Sequence, residues 1–194
     1  MKNPLIIGSD IEKCASCVAE VLNKPGSVAL VPTETVYGLV ARVGDEAACR
    51  KIFELKQRSE AKVLGWFVSD WRTLSEYGVQ LAGIPCELAE KYCPGAITII
   101  APLKNGGTLG FRSPDHPLLR EILKLTGPLY QTSANLSGQP DPLDAASALA
   151  QLWGEPDIAV DGGRLPADAQ GSTVVDASGK EPRILRQGAL KIEL

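Results

Sequence analysis

Val28-Ala-Leu-Val-Pro-Thr-Glu-Thr-Val-Tyr-Gly-Leu-Val40 joins an apolar run to a polar one across a single proline. Val28 to Val31 is bounded by Gly26 and Pro32 and leaves no polar face for water, so it reads as a buried strand. Pro32 has no N–H to give to a ladder, and regular pairing should stop there. Thr33, Glu34 and Thr35 then stand at a strand end, where α/β sheets place their ligand crevice. A turn whose hydroxyls satisfy their own backbone would use the same residue types, and this stretch alone leaves both readings open.

Working outward, Ser9-Asp-Ile-Glu12 has the form of a capping box. It opens a helix striped by Ile11, Ala15, Val18 and Leu22 and closed by Lys24-Pro25-Gly26. On the other side Asp45 suits an N-cap, and Ala48, Ile52 and Leu55 mark a second helical stripe that runs out into Lys56, Arg58 and Lys62. Leu64 to Val68 reads as a strand, Ser69-Asp70 begins a short helix toward Tyr77, and Ile84-Pro85 opens another that Pro94-Gly95 stops. Ile97 to Ala101 is a clear strand, and Thr108 to Arg112 is extended after the turn at Asn105-Gly106-Gly107. Pro114 to Pro117 starts a helix with proline in its first turn. Leu129 to Thr132 is a strand leading into Ser133-Ala-Asn-Leu-Ser-Gly138, and a helix follows through Ala145 and Leu149. Ile158 to Val160, Ser172 to Asp176 and Ile184 to Arg186 are further extended pieces. Strands and helices alternate without an internal repeat, which predicts an α/β fold in one domain over residues 1–194.

A net charge of −3 and a pI near 5.3 argue against a dominant nucleic-acid footprint. No apolar run approaches the ~18 residues that cross a membrane. The apolar core of Met1 to Gly8 is too short for a signal peptide, so the expectation is a cytoplasmic protein without membrane partners. Five cysteines are scattered, and the Cys14/Cys17 pair falls inside a helical pattern in a chain with one histidine, His116. They read as buried apolar thiols, with no metal site built by the protein.

Three polar clusters end apolar strands: Thr33-Glu-Thr35, Arg112-Ser-Pro-Asp-His116, and Thr132-Ser-Ala-Asn135 with Ser137. Lys56, Arg58 and Lys62 form a fourth, cationic one at a helix exit. Guanidinium offers a fixed fork to phosphate oxygens, lysine a mobile point charge and hydroxyls neutral hydrogen bonds, so the set suits an anionic ligand. Cations at a helix C-terminus also complement its dipole in plain solvent. Ser133 lacks the glycines of a nucleophile elbow, paired carboxylates are absent, and neither GxxxxGK[ST] nor GxGxxG occurs. Residue chemistry alone therefore extends to a small anion, a nucleotide among the candidates.

Taken together, Pro32-Thr-Glu-Thr-Val-Tyr-Gly-Leu39, Lys56-Gln-Arg58, Pro94-Gly95 with Thr98, Arg112-Ser-Pro-Asp-His-Pro117 and Thr132-Ser-Ala-Asn-Leu-Ser-Gly138 resemble, in order, the motifs of the YrdC family. Ser172-Thr-Val-Val-Asp176 and Ile184-Leu-Arg-Gln-Gly188 resemble its C-terminal part, and the length resembles its short, single-domain form, the TsaC-like threonylcarbamoyl-AMP synthases. That resemblance implies a twisted, largely mixed or parallel open sheet with flanking helices and a basic concave cleft. It implies synthesis of threonylcarbamoyl-AMP and pyrophosphate from L-threonine, bicarbonate and ATP, with Mg2+ brought by the nucleotide. A transfer complex of the TsaD/TsaB/TsaE type would then pass the threonylcarbamoyl group to position 37 of ANN-decoding tRNAs, as the t6A modification.

Carried over by position, the resemblance implies threonine contacts at Thr35, Ser133 and Ser172. It implies ATP contacts at Arg58, Lys62, Asn135 and Arg186, and charge stabilisation by Lys56 and Arg58 without a covalent nucleophile. Arg112 would meet either the substrate carboxylate or a phosphate. The chain departs from the family pattern at Ser59, at Lys62 to Phe67, at Ala96 and at Leu143. The alternative reading is a YciO-type protein that binds RNA or nucleotide, weak tRNA binding included, without synthase activity.

Overall fold

The computed structural model describes residues 5–7, 10–59 and 63–194. One mixed ten-stranded sheet runs through them. Its strands are Leu5–Ile7 (β1), Ala29–Val31 (β2), Gly38–Arg42 (β3), Gly65–Phe67 (β4), Ile97–Pro102 (β5), Thr108–Arg112 (β6), Leu129–Ser133 (β7), Ile158–Asp161 (β8), Thr173–Asp176 (β9) and Arg183–Arg186 (β10). They lie in the order β1-β8-β2-β3-β7-β4-β6-β5-β9-β10. β8 is flanked in parallel by β1 and β2, and β4/β6 and β5/β9 are also parallel. The middle of the sheet, from β2 through β3 and β7 to β4, is antiparallel. Five helices flank it: Ile11–Leu22 (α1), Glu46–Lys56 (α2), Ile84–Tyr92 (α3), Pro117–Thr126 (α4) and Ala145–Gln151 (α5).

Side chains alternate across a strand with period two, and here the two faces meet different partners. Ala29 and Val31 of β2, Val40 of β3 and Ile158 and Val160 of β8 pack beneath α1 and α4, against Val18, Leu119 and Ile122. Their neighbours Leu30, Leu39, Ala41 and Ala159 point the other way, against Ile52 of α2 and Ala148 of α5. Both faces are covered, which is why Val28 to Val31 carries no polar position. At the far half of the sheet only one face is treated so. Ile97, Ile99 and Ala101 of β5, Leu109 and Phe111 of β6 and Val175 of β9 pack against α3 and the 3-10 turn Trp71–Tyr77. The alternate residues of the same strands line an open cleft instead.

Several local expectations shift. The helix opened at Ser9 to Glu12 is capped by Asp10, whose carboxylate accepts the Lys13 N–H at 3.0 Å; Ser9 lies outside the described residues. β1 and β3 were not legible as strands. β3 begins at a glycine, ends at an arginine and is buried on both faces, so it shows no alternation. It makes the polar run after Pro32 the link between two antiparallel strands. Of the five cysteines only Cys14 is buried, and the others are partly exposed. Among the described residues no helix is long and apolar enough to cross a membrane.

The exit of α2 matters for the cleft. Gln57 takes a left-handed conformation (φ 47°), and the Arg58 N–H reaches back to the Phe53 carbonyl, as in a Schellman turn. This turn aims Arg58 across the sheet. A side chain at positive φ is strained relative to glycine. Gln57→Gly is therefore expected to raise stability by roughly 0.5 kcal/mol and β-branched Gln57→Val to lower it by about 1 kcal/mol, shifting the melting temperature by a few degrees in opposite directions. Thermal denaturation in the order Val above Gln above Gly would refute the strain.

Candidate functional site

The open half of the sheet holds a cleft of about 400 Å³. Its floor comes from alternate residues of adjacent strands: Thr98 and Ile100 of β5, Thr108, Gly110 and Arg112 of β6, Gly65 of β4, Gln131 and Ser133 of β7 and Val174 of β9. Its walls bring in Thr35, Arg58, Ser172, Arg186 and Asp141. Six of the residues anticipated from sequence thus meet in one place: Thr35, Arg58, Arg112, Ser133, Ser172 and Arg186.

Arg112 is the most constrained of them. Only 3% exposed, it donates from Nε to the Gly95 carbonyl (3.2 Å) and from Nη1 to Thr35 Oγ1 (2.9 Å). Nη2 lies 2.7 Å from Glu34 Oε1, an ion pair off the N–H axis that leaves Nη2 without a hydrogen-bond acceptor. Phe67 lies beneath the guanidinium, 5.6 Å from ring centroid to Cζ. Burial pushes the Arg112 pKa below its ordinary value and Glu34 opposes that, while a guanidinium stays protonated throughout.

The loop after β2 forms the self-satisfied turn and also brings Thr35 to the cleft. Thr33 Oγ1 accepts the N–H groups of Thr35 and Val36 and donates to the Val36 carbonyl, closing its own turn. Thr35 Oγ1 accepts from Arg112 and stands 2.9 Å from Thr33 Oγ1, at the cleft wall. Glu34, which had looked isolated, accepts the Asp115 N–H at 2.8 Å and pairs with Arg112. It was missed because its partners stand 78 and 81 positions downstream.

Opposite, Ser172 Oγ is 2.7 Å from Thr98 Oγ1, which ties β9 to β5. The exposed Arg186 donates from Nε and Nη2 to the Ser172 carbonyl, at 3.1 and 2.8 Å. Arg58 donates to Thr132 Oγ1 at 3.2 Å, and its buried Nε has no partner. Burial pushes its pKa down. Three guanidinium groups with unmet or solvent-facing donors converge here, an arrangement suited to a polyanion.

Two anticipated residues, Lys56 and Asn135, do not line the cleft. Lys56 is 2% exposed, not at a solvated rim: Nζ donates to the Ser133 carbonyl, to the Asn135 carbonyl (2.7 Å) and to Asn135 Oδ1 (3.1 Å). The spacing 48, 52, 55, 56 sets Lys56 on the buried side of its helix, a signal that its place in the cationic cluster masked. Asn135 spends its side chain on Lys56, on Ser133 Oγ (2.5 Å) and on the Gln139 carbonyl (2.6 Å), and it too lies off the cleft lining. Lys62 lies outside the described residues. Among those described, no group of His, Cys, Asp or Glu is placed to hold a metal ion.

A family model described as Sua5/YciO/YrdC, telomere recombination, matches residues 20–188. The chain belongs to this family. A Mycobacterium tuberculosis protein provisionally named threonylcarbamoyl-AMP synthase is 34% identical over 180 residues, 88% of this chain and 82% of its own length. The human threonylcarbamoyl-AMP synthase is 35% identical over 182 residues, 86% of this chain and 63% of that one. The crystal structure of Pyrococcus abyssi Sua5 complexed with L-threonine superimposes with a TM-score of 0.81 at 28% identity, over 98% of this chain and 58% of that protein. Escherichia coli YciO has the same fold at a TM-score of 0.83, over 97% of both chains, at 22% identity. In this Sua5/YciO/YrdC chain, then, the mixed sheet and its flanking helices are the family's own architecture.

Removing the charge of Glu34 would leave Arg112 buried without its counter-ion. Glu34→Gln is expected to cost about 3 kcal/mol, a drop of roughly 6–12 °C in melting temperature; a change within about 1 kcal/mol would show that Arg112 does not rely on Glu34. His116 gives a second test. Burial holds its pKa below 6.5, with Glu34 and Asp115 opposing and Arg112 assisting. The unfolded chain then takes up a proton that the folded one resists. The contribution is intact above about pH 6.5 and is lost as pH falls toward the folded value. As His116 is the one histidine, His116→Asn should flatten the stability difference between about pH 7.5 and about pH 5.5 in denaturant titrations; an unchanged slope would contradict the burial.

Proposed function

We infer that this protein is a threonylcarbamoyl-AMP synthase. The observation that carries the reading is the convergence of Arg58, Arg112 and Arg186 with the hydroxyls of Thr35, Ser133 and Ser172 on one cleft of a Sua5/YciO/YrdC chain. The names of its relatives and the threonine complex of Pyrococcus abyssi Sua5 support it. The reaction condenses the threonine amine with bicarbonate to a carbamate, releasing water. A carbamate oxygen then attacks the α-phosphorus of ATP and pyrophosphate leaves.

Such a sequence needs neutralised charge and an in-line approach, and no covalent nucleophile. Arg58 and Arg186 stand at separate walls of the cleft and suit the triphosphate, which enters with Mg2+ as its own counter-ion. Arg112 has its charge partly offset by Glu34 and touches Thr35, so it suits the single carboxylate of threonine. Ser133 and Ser172 can accept or donate to the amino acid beside it. Lys56 serves from behind, by fixing the Ser133–Asn135 loop. Transfer of the product to position 37 of ANN-decoding tRNA would fall to a separate TsaD/TsaB/TsaE-like complex.

The direct test supplies ATP, Mg2+, bicarbonate and L-threonine, omits each in turn, and follows pyrophosphate. Release that requires both threonine and bicarbonate is expected. ATP that binds without any such release would instead favour a YciO-type nucleotide binder. Arg58→Ala is expected to weaken ATP binding by about tenfold with little change in fold, since a half-exposed helix-end cation contributes little to stability. Thr35→Val should weaken threonine binding while sparing ATP. Unchanged affinities in calorimetry would overturn those two assignments.

A further inference from the structure

The cleft floor contains a feature that the phosphate and amino-acid contacts do not use. Across four neighbouring strands one row reads Gln131 (β7), Gly65 (β4), Gly110 (β6), Ile100 (β5), with Gly65 opposite Gln131 and Gly110 opposite Ile100. The next row along holds Phe67, Arg112 and Thr98. The two middle positions of the first row, on adjacent strands about 5 Å apart, carry no side chain of their own. A Cβ on Gly65 would lie 2.6 Å from Gln131 Nε2 and 3.3 Å from the Gly110 carbonyl oxygen, so the amide lies directly over Gly65. A Cβ on Gly110 would meet only Ile100 Cγ1 and Thr98 Cγ2, both at 3.7 Å, which leaves the space above it open.

Gln131 makes no side-chain hydrogen bond among the described residues. An amide carries two donors and an acceptor, and one left bare on a cleft floor is an unused recognition element. The same cleft holds the nearly fully buried Arg112 in the next row, so its floor is built from polar side chains and not merely from a run of small residues. Glycines inside strands mark places where a ligand approaches the backbone closely. Val63, Leu64 and Ile100 give the patch apolar edges, and it presents no charge of its own. A flat, neutral, hydrogen-bonding group fits there better than a carboxylate or a phosphate.

We propose that Gln131 is the specificity-determining residue for the nucleotide base: the purine lies flat over Gly110, and the Gln131 amide, which covers Gly65 beside it, pairs with its edge. The inference rests on the synthase reading for the presence of ATP. Adenine offers a donor and an acceptor side by side, the pattern that a glutamine amide complements, whereas guanine offers two acceptors at the same edge. Preference for adenine then follows from the amide, and the arginines remain indifferent to the base.

The test measures binding of ATP and GTP, each with Mg2+, to the full chain by calorimetry, with threonine affinity measured alongside. Wild type should prefer ATP by about tenfold or more. Gln131→Met, similar in volume but without the amide, should lose about tenfold in ATP affinity and bring ATP and GTP within about twofold, with threonine affinity unmoved. Gly65→Ala keeps the glutamine but displaces its amide, and the same loss is expected; it serves where the methionine variant fails to fold. A wild-type ATP-to-GTP ratio retained in either folded variant overturns the proposal and shows that Gln131 only fills the space above Gly65. If that ratio is retained while pyrophosphate release still requires threonine and bicarbonate, the synthase stands and this inference alone falls. A wild-type chain that binds neither nucleotide overturns both.

Discussion

The structure depends on a mismatch between one sheet and the helices that cover it. The α1/α4 layer buries one face of β2, β3 and β8 and reaches Leu129 of β7 and Phe67 of β4, but it does not extend over β6, β5 and β9. Because side chains alternate, the strands beyond that layer must be apolar on the α3 side and free to be polar on the other. Ile97, Ile99 and Ala101 meet the first demand, and Thr98 and Ile100 occupy the second. A slip of one residue in β5 or β6 would exchange Phe111 for Arg112 across the sheet and remove core and site together. Stability and function are therefore written on opposite faces of the same strands, and register serves both.

The Arg112–Glu34 pair shows how a charge is tolerated in that setting. Desolvating an arginine to 3% exposure is costly, and the cost is offset by an ion pair, two hydrogen bonds and an aromatic face. None of these contacts uses Nη2 along its N–H direction. The side chain is held rigidly on the cleft lining, which is pre-organisation of the kind that electrostatic catalysis needs. Glu34 is thus tied to the site although it faces away from the cleft lining.

Helices and the polar strand ends were legible because their signals are local. Asp45 and Asp70 cap the helices they were expected to cap, Thr35, Arg112 and Ser133 lie in the polar clusters that end apolar strands, and Ser172 stands just before one. What escaped notice depended on distance or direction. β3 hides because both its faces are buried, and Glu34 because Arg112 is far along the chain. Gln131 escaped because nothing within a strand reveals that its neighbour across the ladder is a glycine. The family resemblance brought Lys56 and Asn135 forward as ligand contacts, yet it records which residues matter and not which way they point.

Lys56 illustrates that difference. An ammonium group on the buried side of α2 must find acceptors, and those within reach include the carbonyls of Ser133 and Asn135, where β7 ends and the chain turns. Satisfying the lysine therefore dictates the path of that turn, and with it the placement of Ser133 on the cleft floor. Asn135 completes the arrangement by accepting from both Lys56 and Ser133 Oγ while donating to Gln139. A residue can thus shape a cleft without lining it, when its own need for partners sets the path of the backbone that does. The sequence spacing of Lys56 and Arg58 then acquires a physical meaning: one cation turns inward to fix the loop, and the left-handed Gln57 between them swings the other out to the cleft.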